Sequence, residues 1–457
     1  MTELNRLNAP LPKDSITFHL PKINKFKLAN GTDVVFVRKE NLPIIQLNIL
    51  IDTGGKFDPE NKKGLAYLTS RVIDEGAGKY TSLELDNEIE SLGSVFDISC
   101  DHDSFMLSML SLKENFERSM ELLSDVVLRP HFTDEDFLRE KKETINKIIQ
   151  LKDDPSYIAS TAFEKVIYGN TPYSFPIMGD EDQIASISND DIKDYYKTHF
   201  TADASTFIVV GNIEQQELTD VLNKKFGGWR SNGKNKLDIQ FPEHEERTFY
   251  FIHKTGAAQS ELRVGHISTG RNTEDFFAKT IMNTILGGQF SSRINLNLRE
   301  NKGFTYGARS SFDFNKVKGY FEISTAVQSE NTGAALTEII KEIDLIKADI
   351  KQSELDFARS YLIKRYPALF ETYSQVARNL NTMIIYSLAD NYFDKYIEQI
   401  ENASLEQVKA AAINNIFENK LNILVVGDRD IIKKQLEEIA GKTVIIELDI
   451  NGNVVKN

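Results

Sequence analysis

Apolar and polar positions along this chain follow two rhythms, and the order of those rhythms occurs twice. Ser205-Thr206-Phe207-Ile208-Val209-Val210-Gly211-Asn212 is an apolar run that stops at a glycine and passes into an amphipathic segment, Glu217 to Phe226. Leu421-Asn422-Ile423-Leu424-Val425-Val426-Gly427-Asp428 does the same before Ile431 to Ile439. Short runs of β-branched and Leu residues that end at a glycine predict strands, and apolar positions three to four apart predict helices. A helical stretch precedes each run, Asn189 to His199 and Ser404 to Phe417.

The rest of the two halves corresponds. The first half is predicted to hold a strand at 44–52, helices at 64–76 and 82–92, strands at 94–100 and 104–111, and long helices at 113–128 and 133–152. The second half is predicted to hold a strand at 261–268, helices at 274–287 and 290–300, strands at 304–313 and 319–326, and long helices at 331–348 and 352–368. Each half reads as strand, two helices, hairpin, long helices and a closing strand–helix pair. The fold class expected is α+β: two homologous α/β-sandwich domains, each a mixed sheet with one helical layer. The polar stretch from Trp229 to Glu246, broken by Ser231-Asn232-Gly233 and Pro242, is the expected join. The domains are therefore placed at 20–230 and 245–457.

Composition narrows the function classes. The chain has 457 residues and a formal net charge of −14, which argues against nucleic acid, whose phosphates need a concentrated basic surface. No apolar stretch approaches the roughly 18–20 residues of a membrane helix, so no membrane partner is expected. Cys100 is the only cysteine; it allows no intramolecular disulfide and no Cys-based zinc site. Met1-Thr2-Glu3-Leu4-Asn5-Arg6 shows no basic and apolar leader pattern. The expected compartment is the cytoplasm, or the periplasm if a signal peptide has been trimmed away. None of the seven histidines has another at i+3 or i+4. His102, in Asp101-His102-Asp103, is read as part of a turn. His199 is read as a partly positive group at a helix C-terminus.

The duplicated plan, the text Gly64-Leu65-Ala66 and the strand–glycine endings resemble the pitrilysin/insulinase family of zinc peptidases (inverzincins) over about residues 22–445. Active members carry His-x-x-Glu-His directly after Gly-Leu-Ala. Two histidines at i and i+4 share a helical face and bind zinc, and the glutamate between them acts as general base. This chain reads Tyr67-Leu68-Thr69-Ser70-Arg71 instead. Tyr67 and Arg71 stand at the two histidine positions and Ser70 at the base. Counting back from Asp153-Asp154-Pro155 puts Lys147, beside Asn146, at the family's later carboxylate. No cofactor is expected in this chain, since two cations at the metal positions oppose a dication.

A second motif is present: Leu298-Arg299-Glu300-Asn301-Lys302-Gly303-Phe304-Thr305-Tyr306-Gly307, after Leu286-Gly287-Gly288. From the residues alone, Arg299 sits in the last turn of a helix ending near Glu300, Gly303 stops it, and Tyr306 lies three residues into a strand. An Arg in a last turn commonly complements the helix dipole, and a strand Tyr commonly packs. The resemblance implies more for this pair. It implies that Tyr306 donates a hydrogen bond to the scissile carbonyl or its oxyanion, and that Arg299 holds a nearby substrate carbonyl. Gly287 and Gly288, where a peptide backbone can approach closely, and Phe304 are the expected substrate-binding positions.

Some members of the family are split over two chains, one with the zinc motif and one with the Arg/Tyr pair. The resemblance therefore implies a subunit without zinc that closes a chamber with a homologous zinc-bearing subunit and handles a peptide or unfolded segment. Two other readings stand beside it: a scaffold subunit derived from the same fold, and a peptide-binding homodimer without hydrolysis.

Overall fold

A computed structural model of the chain describes Phe18 and residues 20–233 and 237–455. Met1 to Arg6, where no leader pattern was read, and the histidine His19 fall outside the described residues. The first sheet is built from β1 (Ile23–Lys27), β2 (Asp33–Arg38), β3 (Ile44–Ile51), β4 (Val95–Cys100), β5 (Phe105–Leu112) and β6 (Ser205–Gly211), in the order β1-β2-β6-β3-β5-β4. The second is built from β7 (Thr248–His253), β8 (Gln259–Ser268), β9 (Ala308–Phe314), β10 (Gly319–Gln328), β11 (Asn422–Gly427) and β12 (Ile445–Leu448), in the order β12-β7-β11-β8-β10-β9.

Five of the six positions, all but β1 and β12, match strand for strand, which bears out the duplicated α+β plan. In both sheets the returning strand, β6 or β11, pairs in parallel with one neighbour and antiparallel with the other. The outer edge differs. β1 comes from the N-terminal side and pairs antiparallel with β2, whereas β12 comes from the C-terminal side and runs parallel to β7.

Each half packs its own long helices on one face of its sheet, around Leu47, Ile49, Met120 and Leu123 in the first half and Leu262, Val264, Leu336 and Ile339 in the second. The other face is covered by a helix from the opposite half. Helix Pro155–Tyr168 sets Ile158, Ala159, Ala162 and Phe163 against Ile252, Leu424 and Val426 of the second sheet. Helix Tyr373–Ile385 sets Val376, Ala377 and Leu380 against Val35, Ile208 and Val210 of the first. This exchange explains why β6 and β11 read as unbroken apolar runs. A strand covered on both faces gains nothing from a polar alternate position. Trp229 opens the predicted join but belongs to the first core. It is buried beside Phe226 and donates from Nε1 to the Phe200 carbonyl at 3.0 Å.

Polar side chains line both exchange faces, with different chemistry. Register places Asn48 opposite Ile208 and Arg263 opposite Leu424, equivalent points of the repeat. Asn48 joins a neutral network with Gln46, Ser108 and Asn381. Arg263 is buried, with Nη1 donating to Glu261 at 2.9 Å, Nε 3.4 Å from Glu322, and Nη2 donating to the hydroxyls of Ser156 (3.0 Å) and Ser160 (3.2 Å) on the exchanged helix.

Glu164 lies on that same helix. Burial, reinforced by the Glu322 and Asp313 carboxylates, pushes it up to about 8, and burial pushes Glu322 up to about 7. The sign of the resulting pH dependence follows. A carboxyl whose folded pKa lies above its unfolded value (about 4.3) binds its proton more tightly when folded, so its ionisation lowers stability as pH climbs from the unfolded value towards the folded one. Glu164→Gln is expected to match the wild type near pH 4 and to exceed it increasingly up to pH 8. Urea denaturation across that window checks this; a pH-independent difference contradicts it.

Candidate functional site

The helix that carries the replaced metal positions is Leu65–Val72. Its start is held by Asp58, whose carboxylate accepts from the backbone N–H of Gly64 (2.8 Å) and Ala66 (2.9 Å). Gly64 adopts φ 92°, in the left-handed region that favours glycine. Tyr67 packs half-buried on the first core, and Ser70 donates its hydroxyl back to the Tyr67 carbonyl at 2.6 Å. Arg71 donates from Nε to the buried Glu140 carboxylate at 3.2 Å. Glu140 lies on helix Asp134–Leu151, where Thr144 and Ile148 also turn inward while Lys147 is exposed. The carboxylate that pairs with Arg71 comes from another helix, far along the chain. Among the described residues no group of three His, Cys, Asp or Glu side chains is placed to hold a metal ion.

The Arg/Tyr segment is built differently from its sequence reading. In place of one helix from 290 to 300 there is a short α-turn, Arg293–Asn295, followed by a π-helical stretch, Leu296–Asn301. Lys302 N–H bonds to the Asn297 carbonyl at 3.0 Å, the wide step of a π-turn, a feature frequent at functional sites. Gly303 ends it at φ 65°, its N–H on the Arg299 carbonyl at 3.2 Å. β9 begins only at Ala308, so Tyr306 lies in the loop before the strand and not within it. Buried Asn295 fixes that loop: its Nδ2 donates to the Phe290 carbonyl at 2.7 Å and its Oδ1 accepts from Ala308 N–H at 3.0 Å. Thr305 braces it through its hydroxyl, which accepts from Gly307 N–H and from the Thr325 hydroxyl, both at 3.0 Å.

Gly288, Arg299 and Tyr306 line one open cleft of about 420 Å³, together with Phe290, Arg309, Tyr361 and Arg365. Tyr306 is 90% exposed. The Arg299 guanidinium lies over the Phe290 ring, 4.6 Å from its centroid, with Glu300 at 3.4 Å. The flat guanidinium is thereby oriented while its outer N–H groups stay available. Gly287 and Phe304 do not line the cleft. Phe304 packs on the second core. Gly287 is buried against β9, where an added Cβ would meet Ser310 N at 2.4 Å. Gly287→Ala is therefore expected to destabilise by about 1–3 kcal/mol, measured by urea denaturation. Gly288→Ala, with its nearest contact at 3.0 Å, is expected to cost less.

His199 departs from its sequence reading. It stacks on Phe57 and Tyr195, and burial, aided by nearby Lys56, pushes it down to about 4. It is neutral at pH 7 and adds no positive charge to its helix end. Asp101-His102-Asp103 does form the turn between β4 and β5, and Asp103 accepts from Lys316 N–H of the second half at 2.6 Å. Three participants escaped sequence reasoning. Arg309 follows Tyr306 closely, but its exposure depends on where β9 begins. Arg365 and Tyr361 come from the end of helix Gln352–Arg365, far along the chain, and no spacing rule links them to the motif.

Two homologous half-molecules with exchanged helices, and a metal helix without metal ligands, define a peptidase-type fold that lacks the peptidase's own metal site. Residues 33–181 match the insulinase (peptidase family M16) model, and residues 186–362 match the peptidase M16 inactive domain model. The chain belongs to the insulinase family. It is 23% identical to the uncharacterized zinc protease YmxG of Bacillus subtilis over 85% of this chain and 95% of that one. It is also 23% identical to the non-peptidase homolog YmxG of Helicobacter pylori, over 88% and 93%. Human mitochondrial-processing peptidase subunit beta is 20% identical over 78% and 75%. A crystal structure of a peptidase M16 inactive domain from Pseudomonas fluorescens shares the fold, with TM-score 0.84 and 24% identity over 89% and 98%.

The family's metal is zinc, and the residues here do not fit it. A phenol and a guanidinium replace the two imidazole ligands, Lys147 stands at the later carboxylate and a hydroxyl replaces the general base, and the guanidinium engages the buried Glu140 carboxylate. Among the described residues, no helix is long and apolar enough to cross a membrane.

Proposed function

We propose that this chain is the non-catalytic subunit of a two-component zinc metallopeptidase, supplying Arg299 and Tyr306 to a peptide held against a homologous zinc-bearing subunit. One observation carries the reading. Arg299 and Tyr306 share a single cleft, and the Tyr306 phenol stands exposed beside an oriented guanidinium. A scaffold has no need to hold a bare phenol in a braced loop. The phenol donates to the oxyanion as the tetrahedral intermediate forms, and the guanidinium holds a neighbouring carbonyl in register. Gly288 lets the peptide backbone come close. The two halves, taken as domains 20–230 and 245–457, close one wall of the chamber. Likeness to a protein named as one subunit of a processing peptidase supports the two-chain arrangement, and the lone Cys100 suits a reducing cytoplasm.

The test is co-expression with a homologous chain bearing an intact His-x-x-Glu-His, followed by co-purification and a peptidase assay. The expected result is a stable pair with zinc in the partner only and activity only in the pair. Equimolar zinc in this chain, or stable association with no hydrolysis of any peptide, would overturn it; the latter result is the one a scaffold gives.

A further inference from the structure

We infer that the cleft before β9 is a carboxylate receptor, in which Arg309 and Arg365 act with Arg299 to select peptides carrying an acidic side chain or a free C-terminal carboxylate. This rests on the reading of Arg299 and Tyr306 as peptide-facing and adds the charge of the peptide.

The lining holds three guanidiniums, from Arg299, Arg309 and Arg365, and no Asp or Glu. That is unusual in a chain with 68 acidic and 54 basic residues. Most arginines elsewhere are paired: Arg38, Arg118, Arg139, Arg263, Arg293 and Arg429 each have a carboxylate within 4.0 Å, and within the cleft Arg299 has Glu300 at 3.4 Å. Among the described residues, no such pair is found for Arg309 or Arg365. The three come from separate elements. Arg299 sits on the π-helical stretch. Arg309 is exposed on β9, opposite Ser324 of β10. Arg365 ends helix Gln352–Arg365, its Nη1 donating to the Tyr361 hydroxyl at 3.1 Å. A helix C-terminus favours a cation, which accounts for the place of Arg365 on its helix but not for the lack of any acid in the cleft. Like charges brought together repel, and an anion between them removes that cost. The planar guanidinium fork matches a carboxylate. Phe290, Tyr306 and Tyr361 add flat apolar walls suited to a peptide. A polyanion would meet the overall charge of −14, whereas a single carboxylate meets chiefly the local cluster.

The test is fluorescence anisotropy on the full chain alone, with rhodamine-labelled peptides of equal length carrying either Glu or Gln at their centre, each as free acid and as C-terminal amide. The Glu peptides, the free acids, or both are expected to bind about tenfold tighter than the neutral amide, and Arg309→Gln and Arg365→Gln each to lose about three- to tenfold of that preference. Salt at about 1 M, which screens charges beyond roughly 3 Å, is expected to abolish it. A preference that follows Glu marks an acidic side chain as the ligand, and one that follows the free acid marks the C-terminal carboxylate. Equal binding of all four peptides, binding of none, or a preference that survives the double variant would overturn the inference. No zinc-bearing partner is involved. Acidic preference without any peptidase from the pair leaves this inference standing and removes the proposed function; activity of the pair without acidic preference does the reverse.

Discussion

Tyr306→Phe is expected to lower peptide turnover by the paired complex about 10²–10³-fold, the usual effect of deleting one oxyanion donor. The substitution removes a single oxygen from a side chain that is 90% exposed. Its loop is held by Asn295, Thr305 and Thr325 and not by the phenol. Folding, urea midpoint and partner affinity are therefore expected to stay as in the wild type, since exposed substitutions away from special contacts change stability little. The loss should appear mainly in kcat, because the bond to the oxyanion forms only as charge develops. Arg299→Lys keeps the charge but loses the fork and the flat stacking on Phe290, so part of its loss should appear in KM. Unchanged turnover by Tyr306→Phe at saturating partner would remove the role given to this residue.

Arg263→Met is expected to cost about 3–5 kcal/mol of stability, the usual effect of deleting one partner from a buried ion pair. Its side chain is 5% exposed and ties β8 to the exchanged helix through Ser156 and Ser160. Without it, Glu261 and Glu322 are stranded at a junction that already holds Glu164 and Asp313. The cost has a pH signature. Arg263 pulls Glu322 down against a burial that pushes it up, so the variant's folded pKa for Glu322 lies higher still. Below about 7, its folded value in the wild type, the Glu322 carboxyl is protonated in both folded proteins and this part of the penalty is absent; it grows as pH rises past that value. Denaturation at pH 5 and pH 8 should give the smaller loss at pH 5. Equal losses at both would mean that packing, not charge, is what Arg263 supplies.

Most of the elements could be read from the chain. The strands at 44–51, 205–211 and 422–427 and helix Asn189–His199 stand where the pattern places them. β1, β2, β7 and β12 went unread, as did helices Pro155–Tyr168 and Tyr373–Ile385. β1 and β12 are edge strands of five and four residues, too short to carry much periodic signal, whereas β2 and β7 hold the apolar runs Val34-Val35-Phe36-Val37 and Phe249-Tyr250-Phe251-Ile252 and were passed over. The exchanged helices have clear faces of their own, but nothing local says that those faces meet the other half's sheet. The cleft divides the same way. Arg299 and Tyr306 are close in sequence and were legible as a pair; Phe304 and Gly287, expected as substrate contacts, pack on the second core and against β9 and do not line the cleft.

The duplication and the α+β plan are written in local periodicity, and the resemblance to the insulinase family shows from residue type alone which metal-site positions are replaced. Only the tertiary structure decided that each half lends a helix to the other, that Arg71 answers Glu140, and that Arg309 and Arg365 join Arg299 in one cleft. These are contacts between elements far apart in the chain. Their energies depend on burial and on the approach of side chains across the fold, and neither is encoded in the spacing of neighbours.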